Sequence, residues 1–233
     1  MSTQKTIVVI GGTGEIGKAV ALRFAANGWR VIVPARDLGK PSAQELMANP
    51  SITIILADVS KLNGAQHLFQ LLKNDDITIR VVFQAAGTFL WDDGFPGPTK
   101  NAEEVARLLF SANVETKEHV VEALREYYAD TLGSIRMDLV SSHAAQFGPE
   151  HPFRNGPFCE EGYVAAMARV SAYGAQLKAE GIFAETIVHE PGLVASDMAR
   201  TAFPPERAGD IDWAAVDTPE EYAEKLFPNT FFI

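Results

Sequence analysis

The 233-residue sequence predicts a doubly wound α/β fold, a parallel sheet with helices on both faces, formed as a single domain over residues 1–233. Three observations predict it. Short β-branched apolar runs recur along the chain, helix-like amphipathic segments alternate with them, and a glycine-rich turn joins the first run to the first helical segment.

The apolar runs fall at 6–10, 31–33, 52–56, 80–83, 135–140 and 182–188. Continuous rather than alternating hydrophobicity suits strands buried on both faces, the pattern of a parallel sheet. A further short strand is expected at 230–233.

Between the runs lie helical periodicities. Ile16, Val20 and Phe24 stand four apart, Leu62, Ala65, Leu68 and Leu72 share one face, and Val105 pairs with Leu109. Crossovers between parallel strands are right-handed, so the loops after the strands gather around one crevice. Pro- and Gly-rich excursions at 91–99, 147–162 and 203–212 follow strands or motifs and are expected to border it.

Composition narrows the function classes. Hydrophobic residues make up 47% and charged residues 21%, an ordinary globular balance, and no apolar run approaches the roughly 20 residues that cross a bilayer. The opening MSTQKTIVVI runs straight into a strand without a secretory pattern, and the lone Cys159 excludes an internal disulfide framework. These features predict a cytoplasmic protein that does not span a membrane. A formal charge of −10 with scattered Lys and Arg argues against nucleic acid as partner.

The chemistry begins at the first turn. Gly11, Gly14 and Gly17 enclose Thr13, Glu15 and Ile16 between a strand and an amphipathic helix. Gly11 makes the tight turn, Gly14 lets the backbone approach a pyrophosphate, and Gly17 lets the helix pack on the strand, with free N–H groups facing the anion. This is a Rossmann-like dinucleotide site. The second strand ends at Ala35 and Arg36, where an NAD site usually offers a carboxylate to the ribose 2′-hydroxyl. Arg36 suits a 2′-phosphate and therefore NADP, with Asp37 as the acid of an NAD site if the strand ends one residue later.

Further landmarks follow in order: Asp58 and Val59, Ala85-Ala86-Gly87, Asn113, Ser141-Ser142, Tyr163, and Pro191-Gly192-Leu193-Val194 with Ser196. With the glycine turn they make the chain, from Gly11 to about Met198, resemble the short-chain dehydrogenase/reductase superfamily. The resemblance implies that Asp58 and Val59 contact adenine and that Ala85, Ala86 and Gly87 lie along the cofactor. Asn113 would brace the active-site helix and a relay water, and Pro191, Gly192, Val194 and Ser196 would hold the nicotinamide end. It assigns carbonyl polarisation to Ser142 and proton donation to Tyr163, with Ser141 the competing serine by register.

The chain departs from the family pattern in three ways. Met167 stands four residues after Tyr163, where the family carries a lysine that binds the nicotinamide ribose and lowers the tyrosine pKa. A thioether does neither, so Tyr163 is expected to keep a pKa near 10. Lys178 is about four helical turns further on and Arg169 lies on another helix face, so neither replaces that charge. Ser142 and Tyr163 are separated by 21 positions, a wide spacing similar to the extended sugar-nucleotide branch, yet only 41 residues (233 minus 192) follow Gly192. Finally, residues 222–233 lack the glycine-rich ending of the short branch, so the family carries over no safe oligomer interface.

His143 and His189 flank the expected pocket and read as packed or loop histidines; their spacing suits no metal, and no metal site is expected. Asp92-Asp93 reads as a solvated turn.

The leading reading is an NADP-dependent reductase of a small or medium, largely apolar carbonyl compound. Apolar lids from 89–95, 147–158 and Phe203 would shape its pocket, and the protein is a possible homo-oligomer. Met167 supports the alternative of a catalytically impaired cofactor-binding protein that acts as a sensor or partner-binding module. A non-redox enzyme on the same scaffold is the third reading.

Overall fold

A computed structural model of the chain describes residues 4–89, 101–148, 150, 161–201, 211–228 and 231. Six parallel strands lie in the order β3-β2-β1-β4-β5-β6. They are β1 (Thr6–Ile10), β2 (Arg30–Ala35), β3 (Ile52–Leu56), β4 (Ile79–Gln84), β5 (Arg136–Val140) and β6 (Glu185–His189). The helices are α1 (Glu15–Ala26), α2 (Pro41–Met47), α3 (Leu62–Asn74), α4 (Ala102–Phe110), α5 (Thr116–Tyr127), α6 (Glu161–Glu180), α7 (Asp197–Thr201) and α8 (Pro219–Leu226). A π-helical turn, Ser111–Glu115, joins α4 to α5.

Strand alternation divides the core between the two sheet faces. Val8 and Ile10 point to the face covered by α3, α5 and α6, where Leu68, Leu72, Val121, Leu124 and Leu177 pack. Ile7 and Val9 point to the other face, where Val20 and Phe24 of α1 meet Ala223 of α8 and Phe227. The continuous apolar runs are therefore apolar because both sides are covered.

The predicted strand positions hold, with one instructive shift. The run beginning at Ile182 becomes β6 only from Glu185. Gly181, at φ +63°, ends α6, and Phe183 plugs the core before the strand begins. The expected strand at 230–233 lies outside the described residues except Phe231, whose ring stacks on Trp29 at 6.0 Å between centroids. The excursion at 91–99 and Asp92-Asp93 also lie outside the described residues, as does most of 147–162 and 203–212.

The strand order reverses direction between β1 and β4, and loops after these neighbours diverge to opposite faces. The crevice opened there is bordered by residues after Ile10 and Gln84. Among the described residues, no helix is long and apolar enough to cross a membrane.

Candidate cofactor and reaction site

The glycine turn is shaped by close approaches. Gly11 has φ +79°, and a Cβ there would lie 2.5 Å from the Ala86 amide nitrogen. A Cβ on Gly17 would sit 2.3 Å from the Gly11 carbonyl oxygen, so only glycine lets α1 seat against the turn. Gly14 is different: it is exposed, and a Cβ there would meet only the Gly11 oxygen at 3.3 Å. The turn closes through Gly14 N–H donating to the Gly11 carbonyl at 2.9 Å. No side chain caps α1, so its first amides face the crevice mouth.

Around this turn, Lys40 Nζ and Ser42 Oγ donate to the Thr13 carbonyl at 3.0 and 2.8 Å. Glu15 lies in the first turn of α1, and its carboxylate accepts the Asp197 N–H at 2.6 Å, tying α1 to α7. Ile16 packs partly buried against the α1 face of the core.

β2 ends at Ala35, which leaves Arg36 exposed immediately beyond it. Asp37 accepts the Gly39 N–H at 2.8 Å and so closes its own turn. Asp58 accepts from the Ser60 hydroxyl at 2.6 Å, while Val59 is buried in the core.

After β4, Ala85 N–H donates to the Ile10 carbonyl at 2.9 Å, fixing the Ala85, Ala86, Gly87 turn against β1. Asn113 lies in the π-helical turn and grips this segment. Its Nδ2 donates to the Thr88 carbonyl at 2.9 Å and its Oδ1 accepts the Thr88 N–H at 3.1 Å. A Cβ on Gly87 would stand 2.5 Å from Asn113 Oδ1, which accounts for glycine there.

The register after β5 separates the serines. Ser141 is buried, donates to the Met167 carbonyl at 2.9 Å and pairs with Ser171, whose hydroxyl donates to Glu190. Ser142 instead accepts the Ala144 N–H at 3.2 Å and lies beside Tyr163, near enough to act on its phenol. The adjacent Phe89 ring meets the Tyr163 ring edge-on at 5.1 Å. Burial pushes the Tyr163 phenol up, and the Ser142 hydroxyl pulls partly the other way. The value near 10 expected from the sequence is thus corrected upward, because desolvation penalises the phenolate.

Met167 is buried beside Val114, Ala166 and Val170. Arg169 is exposed and pairs with Glu118 at 2.9 Å, and Lys178 is exposed on the same helix, so neither reaches the Met167 cluster.

After β6 the Pro191 carbonyl accepts the His143 N–H at 2.8 Å, bringing the β5 and β6 loops together. Gly192 and Leu193 are exposed, whereas Val194 and Ser196 turn inward, and Ser196 Oγ accepts the Ala199 N–H at 3.2 Å. His143 is exposed. His189 belongs to a buried network in which its Nε2 lies 2.7 Å from Asp138 Oδ1, with Arg136 on the same carboxylate at 2.8 Å. Both are therefore loop or packed histidines.

One buried group was not singled out from the sequence. Lys117 donates from Nζ to the Ala86 carbonyl at 2.8 Å and the Asn113 carbonyl at 3.0 Å, and burial lowers its pKa to about 7. Its signal was its place on an apolar helical stripe with Val114, Val121 and Leu124.

The exposed Gly14, the uncapped α1 amides and exposed Arg36 at the end of β2 fit a pyrophosphate-linked dinucleotide. Fold and turn together define a dinucleotide-binding α/β protein.

The short chain dehydrogenase family model matches residues 5–153, and the chain belongs to that family. No curated protein matches the sequence. A solved variant of actinorhodin polyketide ketoreductase with NADPH superposes with a TM-score of 0.77 at 20% identity, covering 96% of this chain and 88% of that one. A short-chain dehydrogenase from Streptomyces avermitilis gives 0.74 at 18% identity, covering 96% and 83%. ElxO with NADP bound gives 0.74 at 15% identity, covering 99% and 94%. At these identities the likeness is one of fold. The protein is thus a member of an NAD(P)-binding oxidoreductase family whose enzymes act on small molecules.

Proposed function

We propose that the protein is an NADP-dependent reductase of a small or medium, largely apolar carbonyl compound, working as one domain in the cytoplasm. The two hydroxyls brought side by side, Ser142 and Tyr163, carry this reading.

The glycine turn from Gly11 to Gly17 and the α1 amides would hold the pyrophosphate. Arg36 would meet the 2′-phosphate, Asp58 and Val59 the adenine end, and Ala85 to Gly87 the middle of the cofactor. Pro191, Gly192, Val194 and Ser196 would border the nicotinamide end. When bound, NADPH supplies a hydride to the substrate carbonyl carbon.

The chain's own part is to supply the proton and hold the oxygen. Tyr163 donates its phenolic proton to the carbonyl oxygen, and Ser142 donates a second hydrogen bond to the same atom, offsetting the charge that develops there. A phenol pushed above its ordinary value stays protonated at neutral pH, the form that reduction needs. Phe89 against Tyr163 gives this corner an apolar wall, in keeping with an uncharged substrate.

Met167 favours the second reading, a cofactor-binding sensor without turnover, because a thioether packed against Val114, Ala166 and Val170 carries no charge.

Titration of the pure protein with NADPH and NADH, followed by a panel of carbonyl compounds, separates the two readings. NADPH should bind at least tenfold tighter, about 1.4 kcal/mol, and Arg36→Ala should erase the difference. Equal affinities would remove the NADP assignment, and NADPH binding with no turnover on any carbonyl would leave the sensor.

A further inference from the structure

Lys117 is the one lysine or arginine among the described residues whose side chain is buried, at 1% exposure. Burial lowers its pKa. An ammonium held this way is costly, and an apolar residue of similar length would avoid the desolvation.

Its placement suggests what the cost secures. Nζ donates to Ala86, in the turn that stands against Gly11, and to Asn113, whose side chain grips Thr88. Three segments meet here without room for an added Cβ: the glycine turn, the turn after β4 and the π-helical turn. The charge thus lies directly behind the backbone that lines the crevice, where low dielectric strengthens its attraction for an anionic ligand.

We propose that Lys117 is a positioning residue for the anionic dinucleotide, pinning the Ala86 and Asn113 carbonyls together and, in its protonated form, presenting a positive charge behind the crevice. This rests on the dinucleotide reading above. It places in α5, behind the fold's central turn, a cation that Met167 does not provide in α6.

The experiment compares wild type, Lys117→Met and Lys117→Arg by NADPH fluorescence titration and thermal melting. Lys117→Met should weaken NADPH about tenfold while melting at or above the wild-type temperature, since a buried charge has been removed. Lys117→Arg, which keeps the cation, should stay within about threefold of wild type. An NADPH Kd within twofold of wild type in folded Lys117→Met would overturn the proposal and leave a purely structural staple. Should Lys117→Met fail to fold, the wild-type protein decides. The ¹⁵Nζ resonance of Lys117, assigned by its loss in Lys117→Arg, should move when NADPH is added, and an unmoved resonance overturns the proposal. A wild-type protein that binds neither NADPH nor NADH would instead remove the dinucleotide reading itself, and this inference with it.

Discussion

The loops after β1 and β4 and the loops after β5 and β6 both border the crevice, but they are built from different materials. The first pair is backbone. Gly11 and Gly17 are required by backbone approaches that leave no room for a Cβ, and the Gly11 and Ile10 carbonyls are fixed by the Gly14 and Ala85 amides. The second pair is side chain. Ser142, Tyr163 and Met167 contribute through their side chains. A site made of backbone is hard to lose while the fold persists. A site made of side chains can change its chemistry one residue at a time.

The sharpest test of this contrast is Tyr163→Phe. Carbonyl reduction should fall by roughly 10²- to 10⁴-fold, the usual contribution of a positioned acid, while NADPH affinity stays within twofold. Full turnover in the variant would show that the side-chain half has been misassigned.

On the backbone half, two glycines three residues apart should fail differently. Gly14→Val should abolish detectable NADPH binding and cost the fold less than Gly17→Ala, because its φ of −87° suits any residue and its Cβ would stand 3.3 Å from the Gly11 oxygen rather than 2.3 Å. Gly17→Ala should instead destabilise the fold by about 1–3 kcal/mol, because its Cβ would strike the Gly11 carbonyl. Equal melting temperatures for the two variants would break the distinction between the ligand-facing and the packing glycine.

Much of this was legible in residue order, and the exceptions have physical causes. β1 falls where its apolar run falls, because two covered faces demand unbroken hydrophobicity, and β3 matches its run although, at the sheet edge, it buries only Ile52. β6 starts later because Ile182 and Phe183 are apolar for the core's sake without being extended. The choice between Ser141 and Ser142 turns on a single step of strand alternation, which sequence alone does not fix. Ser141 proves to face α6 and Ser142 to face Tyr163. Lys117 escaped notice because lysines are ordinarily solvated, and only its neighbours on the helix, Val114, Val121 and Leu124, marked it as inward.

A smaller effect is expected from Met167→Lys. With the Tyr163 phenol pushed above 10, less than about one part in a thousand is ionised at pH 7, so alcohol oxidation is starved of base and reduction is not. A lysine among Val114, Ala166 and Val170 should raise oxidation at pH 7 several-fold more than reduction and move the oxidation profile to lower pH. An unchanged profile would place residue 167 outside the phenol's electrostatic reach.

A further effect concerns stability. Lys117 has a folded pKa of about 7 against an ordinary 10.5, so between these values the unfolded chain holds a proton that the folded chain lacks. Stability should therefore rise with pH across this window, by at most about 1.4 kcal/mol per unit, and level off above it. Lys117→Met lacks this dependence, so chemical denaturation at pH 7 and pH 9 should show wild type gaining on the variant. Parallel behaviour at both values would mean that Lys117 titrates normally.

The packing of α8 on α1 has a consequence for biosynthesis. Arg23 donates to the Phe227 carbonyl, and Phe24 meets the Phe227 ring at 4.8 Å, joining positions about two hundred residues apart. The first three strands leave the ribosome early, yet one side of α1 stays uncovered until residues 219–227 have been made. Contacts of such long sequence separation form slowly and expose apolar surface meanwhile. The nascent chain should thus carry a sticky, half-clothed α1 through most of its synthesis, a natural point for chaperone engagement and for aggregation of prematurely terminated products.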